Sequence, residues 1–412
     1  MRHPSLLLGL PAACLLLSTC TNSAAFAEGF ADDTRFILNT RNVYFARDYK
    51  GSDAQVAKRA EWAQGFILQG GTGYTQGPVG VGFDLLGQFG VKLDSGKGRA
   101  GTGLIPDNDG GPADDFGRLG GVVKLRAWKG ELKYGEQILN LPILRSNDGR
   151  LLPQTQFGTT LTVAPVSAVK FQAGRIESFS GRDSTDQEKL HMHGSSVTAK
   201  HFDYAGAEWQ SIDAHLQLGY WHAELKDIYR QDMYRFAYQQ PWGTAMLRLD
   251  SGLYASAEQG AAKAGALDNR AFYLGLRWSQ AGHAVLLGYQ RQFGDDDFVA
   301  LQDSGTLMTN HANNIFAYAR ERSWQVRYDY EFAAMGLPGM SVMARYIYGD
   351  HVQRSNADGG HEWERDVSVR YVVQSGQWRD LSVALGLSTL RSTFQSSFDE
   401  VRLQLSYPIM LL

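Results

Sequence analysis

The sequence is almost free of cysteine. Cys14 and Cys20 are its only two in 412 residues, and both lie in an N-terminal segment that reads as a removable leader. Without them the chain has no disulfide framework, no zinc-thiolate cluster and no thiol nucleophile. Proline is sparse, at 11 residues. After residue 28 there is no apolar run of 18 residues, which excludes a transmembrane helix. Amphipathic helical periodicity is missing too. The formal net charge is −3, so the chain lacks the basic footprint of a nucleic-acid binder. Gly-x-Ser-x-Gly, His-Glu-x-x-His and phosphate-binding glycine loops do not occur. No cofactor or metal signature replaces them.

The first 27 residues, MRHPSLLLGLPAACLLLSTCTNSAAFA, have a basic start at Arg2, an apolar core from Leu6 to Leu17 and a small-residue exit at Ala25-Phe26-Ala27. This pattern predicts a signal peptide over 1–27 and one mature domain over 28–412. The rival reading is a lipidated Cys20 in LSTC, for which Thr19 is a poor preceding residue.

What remains is rich in glycine (46), tyrosine (19) and tryptophan (9). Hydrophobic residues reach 43%, yet the mean hydropathy is −0.30. Apolar and polar residues alternate with period two along most of the chain, as in VGVGFDLLGQFGVKL (79–93) and SWQVRYDYEF (323–332). Such segments read as strands with one apolar face. There are 18 of them in 412 residues. Short turns such as WKGE (128–131) and GLPG (336–339) alternate with long polar connections at 94–115, 139–157, 178–200 and 294–321. This layout predicts an all-β, transmembrane antiparallel barrel of about 18 strands, with short periplasmic turns and long outer loops. A soluble secreted β-protein is the rival, but its polar face is ordinarily mixed, whereas this one is rich in arginine.

In RFILNTRNVYFARDY (35–49), Arg35, Arg41 and Arg47 share one parity, and Phe36, Leu38, Tyr44 and Ala46 the other. A charged group facing lipid at mid-depth costs about 2–4 kcal/mol, so these arginines must point into the lumen. Arg118, Lys124 and Arg126 follow the same rule, as do Arg248, Arg277, Arg327, Arg345, Arg370 and Arg402. A wall of guanidinium groups offers bidentate carboxylate sites. The alternative role is pairing with lumen acids such as Asp329 or Asp366. The loop LNLPILRSNDGRLLPQ (139–154) carries more leucine than a solvated loop wants, between Pro142 and Pro153. It is expected to fold inward, turn at Asp148-Gly149 and present Arg145 or Arg150 at the constriction. The acidic runs 107–109 and 295–297 read as solvated loops, and His191 and His193 as a chance pair.

RAEWAQGF (59–66), NDGRLLPQT (147–155), SWQVRYDYEFAAMGLPGMSVMARYIYG (323–349) and VRLQLSYP (401–408) together resemble the OprD family of substrate-specific outer-membrane porins. The resemblance implies an 18-stranded barrel in the outer membrane, in contact with its lipids, as a monomer or weak trimer. It implies diffusive uptake of small anionic or zwitterionic, carboxylate-bearing nutrients along a basic ladder. It also implies that the loops at 139–157, 178–200 and 294–321 narrow the pore. Basic amino acids, aromatic acids and aliphatic acids are all compatible substrates. The chain departs from the common pattern by ending in Leu412 rather than an aromatic residue. The alternatives are an outer-membrane enzyme of lipase or protease type and a plugged structural barrel.

Overall fold

The period-two segments become eighteen barrel strands in a computed structural model, which describes residues 29–51, 56–108, 111–355 and 357–412. The predicted leader and its cleavage point lie outside the described residues. The first nine strands are β1 Arg35–Lys50, β2 Lys58–Gly71, β3 Val79–Asp94, β4 Asp115–Ala127, β5 Gly130–Gln137, β6 Thr155–Val166, β7 Val169–Ser180, β8 Phe202–Gln210 and β9 Leu216–Leu225. The second nine are β10 Tyr229–Trp242, β11 Ala245–Glu258, β12 Asp268–Gln280, β13 His283–Gly294, β14 Arg322–Glu331, β15 Met340–Arg354, β16 Ala357–Val372, β17 Ser382–Ser392 and β18 Ser397–Met410.

Consecutive strands pair antiparallel, and β18 closes onto β1 in a register running from Ile37 opposite Met410 to Lys50 opposite Ser397. Closure removes the free sheet edge, which lipid cannot satisfy. A single 3-10 turn, Phe332–Met335, is the helical structure among the described residues.

The two faces are those that the alternation requires. On β14, Trp324, Val326 and Tyr328 are exposed on the outside, while Ser323 and Gln325 are buried inside. Val326 and Leu287 are 55% and 51% exposed, an exposure that suits acyl chains and not water. Near the long-loop end, Tyr289, Trp324, Tyr348 and Trp363 stand side by side in register. Trp324 stacks on Tyr348 at 6.4 Å and meets Tyr289 at 5.7 Å. They form one arc of an aromatic girdle.

The core of this protein is inside the lumen. Leu144, Leu151 and Leu152 of the 138–154 loop are fully buried, at 0% exposure. Leu151 and Leu152 pack with Val43, Phe45 and Ala63 of the wall. Leu144 packs with Leu190, Phe298 and Leu301 from the other two inward loops. Each buried leucine contributes roughly 1.5–3 kcal/mol, which explains why a loop so apolar leaves the solvent. The wall makes room for it with glycine. Gly65 and Gly90 face each other across β2 and β3. A Cβ on Gly65 would come within 3.1 Å of Leu151, and one on Gly90 within 3.0 Å.

Candidate anion path and constriction

The barrel register assembles a row of lumen residues from strands far apart in sequence. From β1 the row reads Arg47, Glu400, Ser388, Asp366, Arg345, Arg327, Leu286, Arg277 and Arg248. Barrel strands are tilted by about 35–45°, so a register row climbs around the wall as a ramp. Arg47 stands twelve positions after Arg35 at the short-turn end of β1, and Arg345 five positions after Met340. Arg248 stands three positions after Ala245. The ramp therefore descends from the long-loop side to the short-turn side.

Charge along the ramp is organised by shared acids. Glu400 is held by Arg47 at 2.6 Å and by Arg402 at 2.8 Å. Asp329 is held by Arg327 at 2.7 Å and by Arg277 at 3.1 Å. Asp250 is held by Arg248 at 2.9 Å and by Arg235 at 3.1 Å. The Glu400 and Asp329 clusters each set two guanidinium groups against one carboxylate and so keep one surplus positive charge. In the third, Arg235 also lies 4.0 Å from Glu208, which Lys170 holds at 2.6 Å, so three cations face two acids and the surplus is again one. Arg345 and Asp366 pair one to one at 2.8 Å. On the opposite wall, Asp84 is shared by Lys124 and Lys133.

The remaining predicted basic residues take different places. Arg370 donates to Ser382 at 2.9 Å, and Arg126 lies 4.3 Å from the Tyr74 ring. Arg35 donates to the carbonyls of Asp32 and Thr34. Among the described residues these three have no ion-pair partner, and all lie near the short-turn ends of their strands. Arg118 is a clamp: it donates to the carbonyls of Gly181, Ser184 and Pro153. Arg41 is engaged with the inward loop, donating twice to Asp148 at 2.6 and 3.1 Å and once to the Arg150 carbonyl. The basic ladder expected from the sequence is divided among these settings. Arg47, Arg345 and Arg327 share the ramp, Arg402 lies beside it, Arg41 anchors the loop, and Arg35 and Arg370 sit at the mouth. The cause is shear: residues at similar positions along different strands stand at different heights.

Three loops meet in the lumen. The Gly305 N–H donates to the Arg145 carbonyl at 2.8 Å, and the His193 N–H to Ala300 at 2.9 Å. Gln154 reaches the Gln302 carbonyl at 2.8 Å. Arg145 is spent on this junction, donating to Asn140 at 2.9 Å and to the Thr306 carbonyl at 3.3 Å. The 295–321 loop is seated by acids of β16: Glu364 accepts the N–H groups of Asn313 and Asn314, both at 3.0 Å.

Arg150 has a different environment. Its side chain donates to the carbonyls of Thr102 and Gly149, each at 2.9 Å, and among the described residues it makes no ion pair. Burial and the guanidinium groups of Arg402 and Arg182 push it down to about 9. It stays cationic at neutral pH in a field that an anion would relieve. Arg150 and Arg402 both lie 4.9 Å from the Phe45 ring. Arg402 also bridges two loops, reaching Gly149 and Asn313. Among the described residues, the buried Nε groups of Arg402 and Arg182 have no hydrogen-bond acceptor. Arg182, on the 181–201 loop, and Arg235 were missed by sequence reasoning. Arg235 has the inward parity of β10 and was findable; Arg182 sits in a loop with no periodicity to place it. His311 was also missed. Burial, Arg345 and Arg145 push it down to about 4, which leaves a neutral imidazole inside a basic lumen.

This geometry can be compared with known proteins. A family model described as outer membrane porin, OprD family, matches residues 28–411. The porin-like protein GalP of Pseudomonas putida is 39% identical over 394 residues, covering 94% of this chain and 95% of that one. The crystal structure of Pseudomonas aeruginosa OccK9 (OpdG) shares 44% identity with a TM-score of 0.92, over 93% of this chain and all of that one. That of Pseudomonas aeruginosa OpdK with vanillate shares 41% identity with a TM-score of 0.89, over the same proportions.

Proposed function

Because this chain belongs to the OprD family of outer membrane porins, and its barrel lies in the outer membrane, we propose that it admits small carboxylate-bearing nutrients by diffusion along the basic ramp. The observation that carries this reading is the repeated two-to-one cluster. A one-to-one wall would be neutral and would merely fill space. An unbalanced arginine row would hold an anion too tightly to release it. Paired arginines sharing one acid give a series of weak anion sites, the condition for conduction.

In this proposal the carboxylate enters past Arg47 and Arg402, meets Arg150 and Arg182 at the constriction, and descends past Arg345, Arg327, Arg277 and Arg248. Arg370, Arg126 and Arg35 receive it at the periplasmic mouth, with Lys124 on the far wall. Arg41, Asp148 and Arg145 hold the constriction loop in place. OpdK was crystallised with vanillate, an aromatic carboxylate, so acids of that size are the first to try here. Removal of residues 1–27 before assembly is part of the same proposal.

The test is uptake into proteoliposomes of radiolabelled vanillate against vanillyl alcohol, its neutral analogue. Saturable entry of the acid, well ahead of the alcohol and slowed several-fold by R150Q/R402Q, is expected. Equal entry of acid and alcohol would overturn the proposal.

A further inference from the structure

Several arginines lie on the outside of the barrel, where the lumen path cannot use them. On β13 and β14, Arg291 and Arg322 stand directly opposite each other in register. Both share the outward parity of Leu287 and Val326, which are more than half exposed. They sit one outward position beyond Tyr289 and Trp324 of the aromatic row, toward the long loops. The Arg322 guanidinium is 5.4 Å from the Trp324 ring, and that of Arg291 is 4.7 Å from the Phe293 ring. Arg270 adds a third exposed guanidinium on β12, opposite Phe293.

Like charges directly opposite on a sheet repel, and of the three guanidinium groups Arg322 and Arg270 each have an acid beside them while, among the described residues, Arg291 does not. Asp350 pairs with Arg322 at 2.7 Å and is also bonded by His351 at 2.6 Å. Asp268 lies 4.0 Å from Arg270. Arg291 has no acid partner among the described residues. An unpaired guanidinium, Arg291, is thus held beside the aromatic row, which marks the level where lipid headgroups begin.

We propose that Arg291 and Arg322, flanked by Arg270, clamp the phosphate group of a phosphorylated lipid in the outer leaflet. The planar guanidinium forks suit a phosphate bidentately, and an anion between Arg291 and Arg322 removes their mutual repulsion. The rings beneath hold both side chains at headgroup height. This inference rests on the outer-membrane placement of the barrel and not on the carboxylate path, so either can fail alone.

The experiment is native mass spectrometry of the folded, detergent-solubilised protein with a phosphorylated diglucosamine lipid. The same lipid without its phosphates and inorganic phosphate alone form the other arms. Adducts of the phosphorylated lipid should outnumber those of the dephosphorylated one and survive millimolar inorganic phosphate. R291Q/R322Q should reduce them at least tenfold, with R291K/R322K intermediate and anion selectivity of the channel unchanged. Heat-modifiable mobility on gels verifies folding, and R291Q alone carries the test if the double variant does not fold. Equal retention of both lipids, or unchanged adducts in a folded R291Q/R322Q barrel, would refute the proposal. Displacement by inorganic phosphate would reassign the site to free phosphate and overturn the lipid assignment.

Discussion

Asp329→Asn isolates the role of a shared acid. Asp329 holds Arg327 and Arg277, so the cluster carries one surplus positive charge, and the substitution doubles it without changing shape. A carboxylate about 6 Å from one unit charge gains about 0.7 kcal/mol at the dielectric of water and about 2.8 kcal/mol at an effective dielectric of 20. Screening over ~10 Å at 0.1 M salt roughly halves this; over ~3 Å at 1 M it leaves about an eighth. The added charge should therefore raise local anion occupancy about 2-fold to 10-fold at 0.1 M, and by about twofold or less at 1 M. Both arginines keep more than a third of their surface exposed, so the two ion pairs contribute little to stability and the barrel should still fold. Reversal potentials of single channels in a tenfold KCl gradient measure the effect. D329N should shift further toward anion preference at low salt, and the shift should fade at high salt. An unchanged potential at 0.1 M would mean that anions do not pass this cluster, and the ramp would lose its role.

Deleting about eight residues around Asp148 should raise conductance and abolish discrimination between acids, because the lumen of an 18-stranded barrel is otherwise an open aqueous channel; a folded deletion with unchanged conductance would contradict the constriction. Gly65→Val should act in the same direction, since a Cβ there already approaches Leu151 at 3.1 Å; larger or noisier single-channel currents are the readout. His311 is held down to about 4 in its seat, below the ordinary value near 6.5. The state with the 295–321 loop withdrawn binds more protons between those values, so the seated loop loses stability as pH falls from about 6.5 to 4. Channel noise should rise across that window, and H311Q should flatten the rise. Intact-mass analysis of the purified protein should give a chain beginning at Glu28; a mass carrying a lipidated Cys20 would refute the leader assignment.

Fold and wall chemistry were legible because a barrel strand faces two different solvents. Its period of two is written in the sequence, and arginine on the inward parity of β14 and β15 needs no further context. The inward course of the 138–154 loop was legible from Leu144, Leu151 and Leu152, which water would not tolerate. A signal left unread was glycine on inward positions, as at Gly65 and Gly90, where the wall gives way to a folded loop. What stayed hidden depends on shear and on contacts between loops. Arg327 and Arg345 are neighbours in register, but Arg47 joins their row only through the strand offsets of β16 to β18. No pattern along the chain shows that Arg182 approaches Arg150 or that Arg145 is consumed by the 295–321 loop. Acid sharing is likewise invisible before the fold, since Glu400 and Arg47 lie at opposite ends of the chain.

The most direct test of the carboxylate path is single-channel current interruption by vanillate at 0.1 M salt, with vanillyl alcohol as the neutral control. The wild-type channel is expected to show brief, concentration-dependent interruptions by the acid and none by the alcohol, with their frequency falling several-fold in R150Q/R402Q. Interruptions by the alcohol as frequent as those by the acid, or a frequency unmoved by R150Q/R402Q, would contradict a path built on paired guanidinium groups.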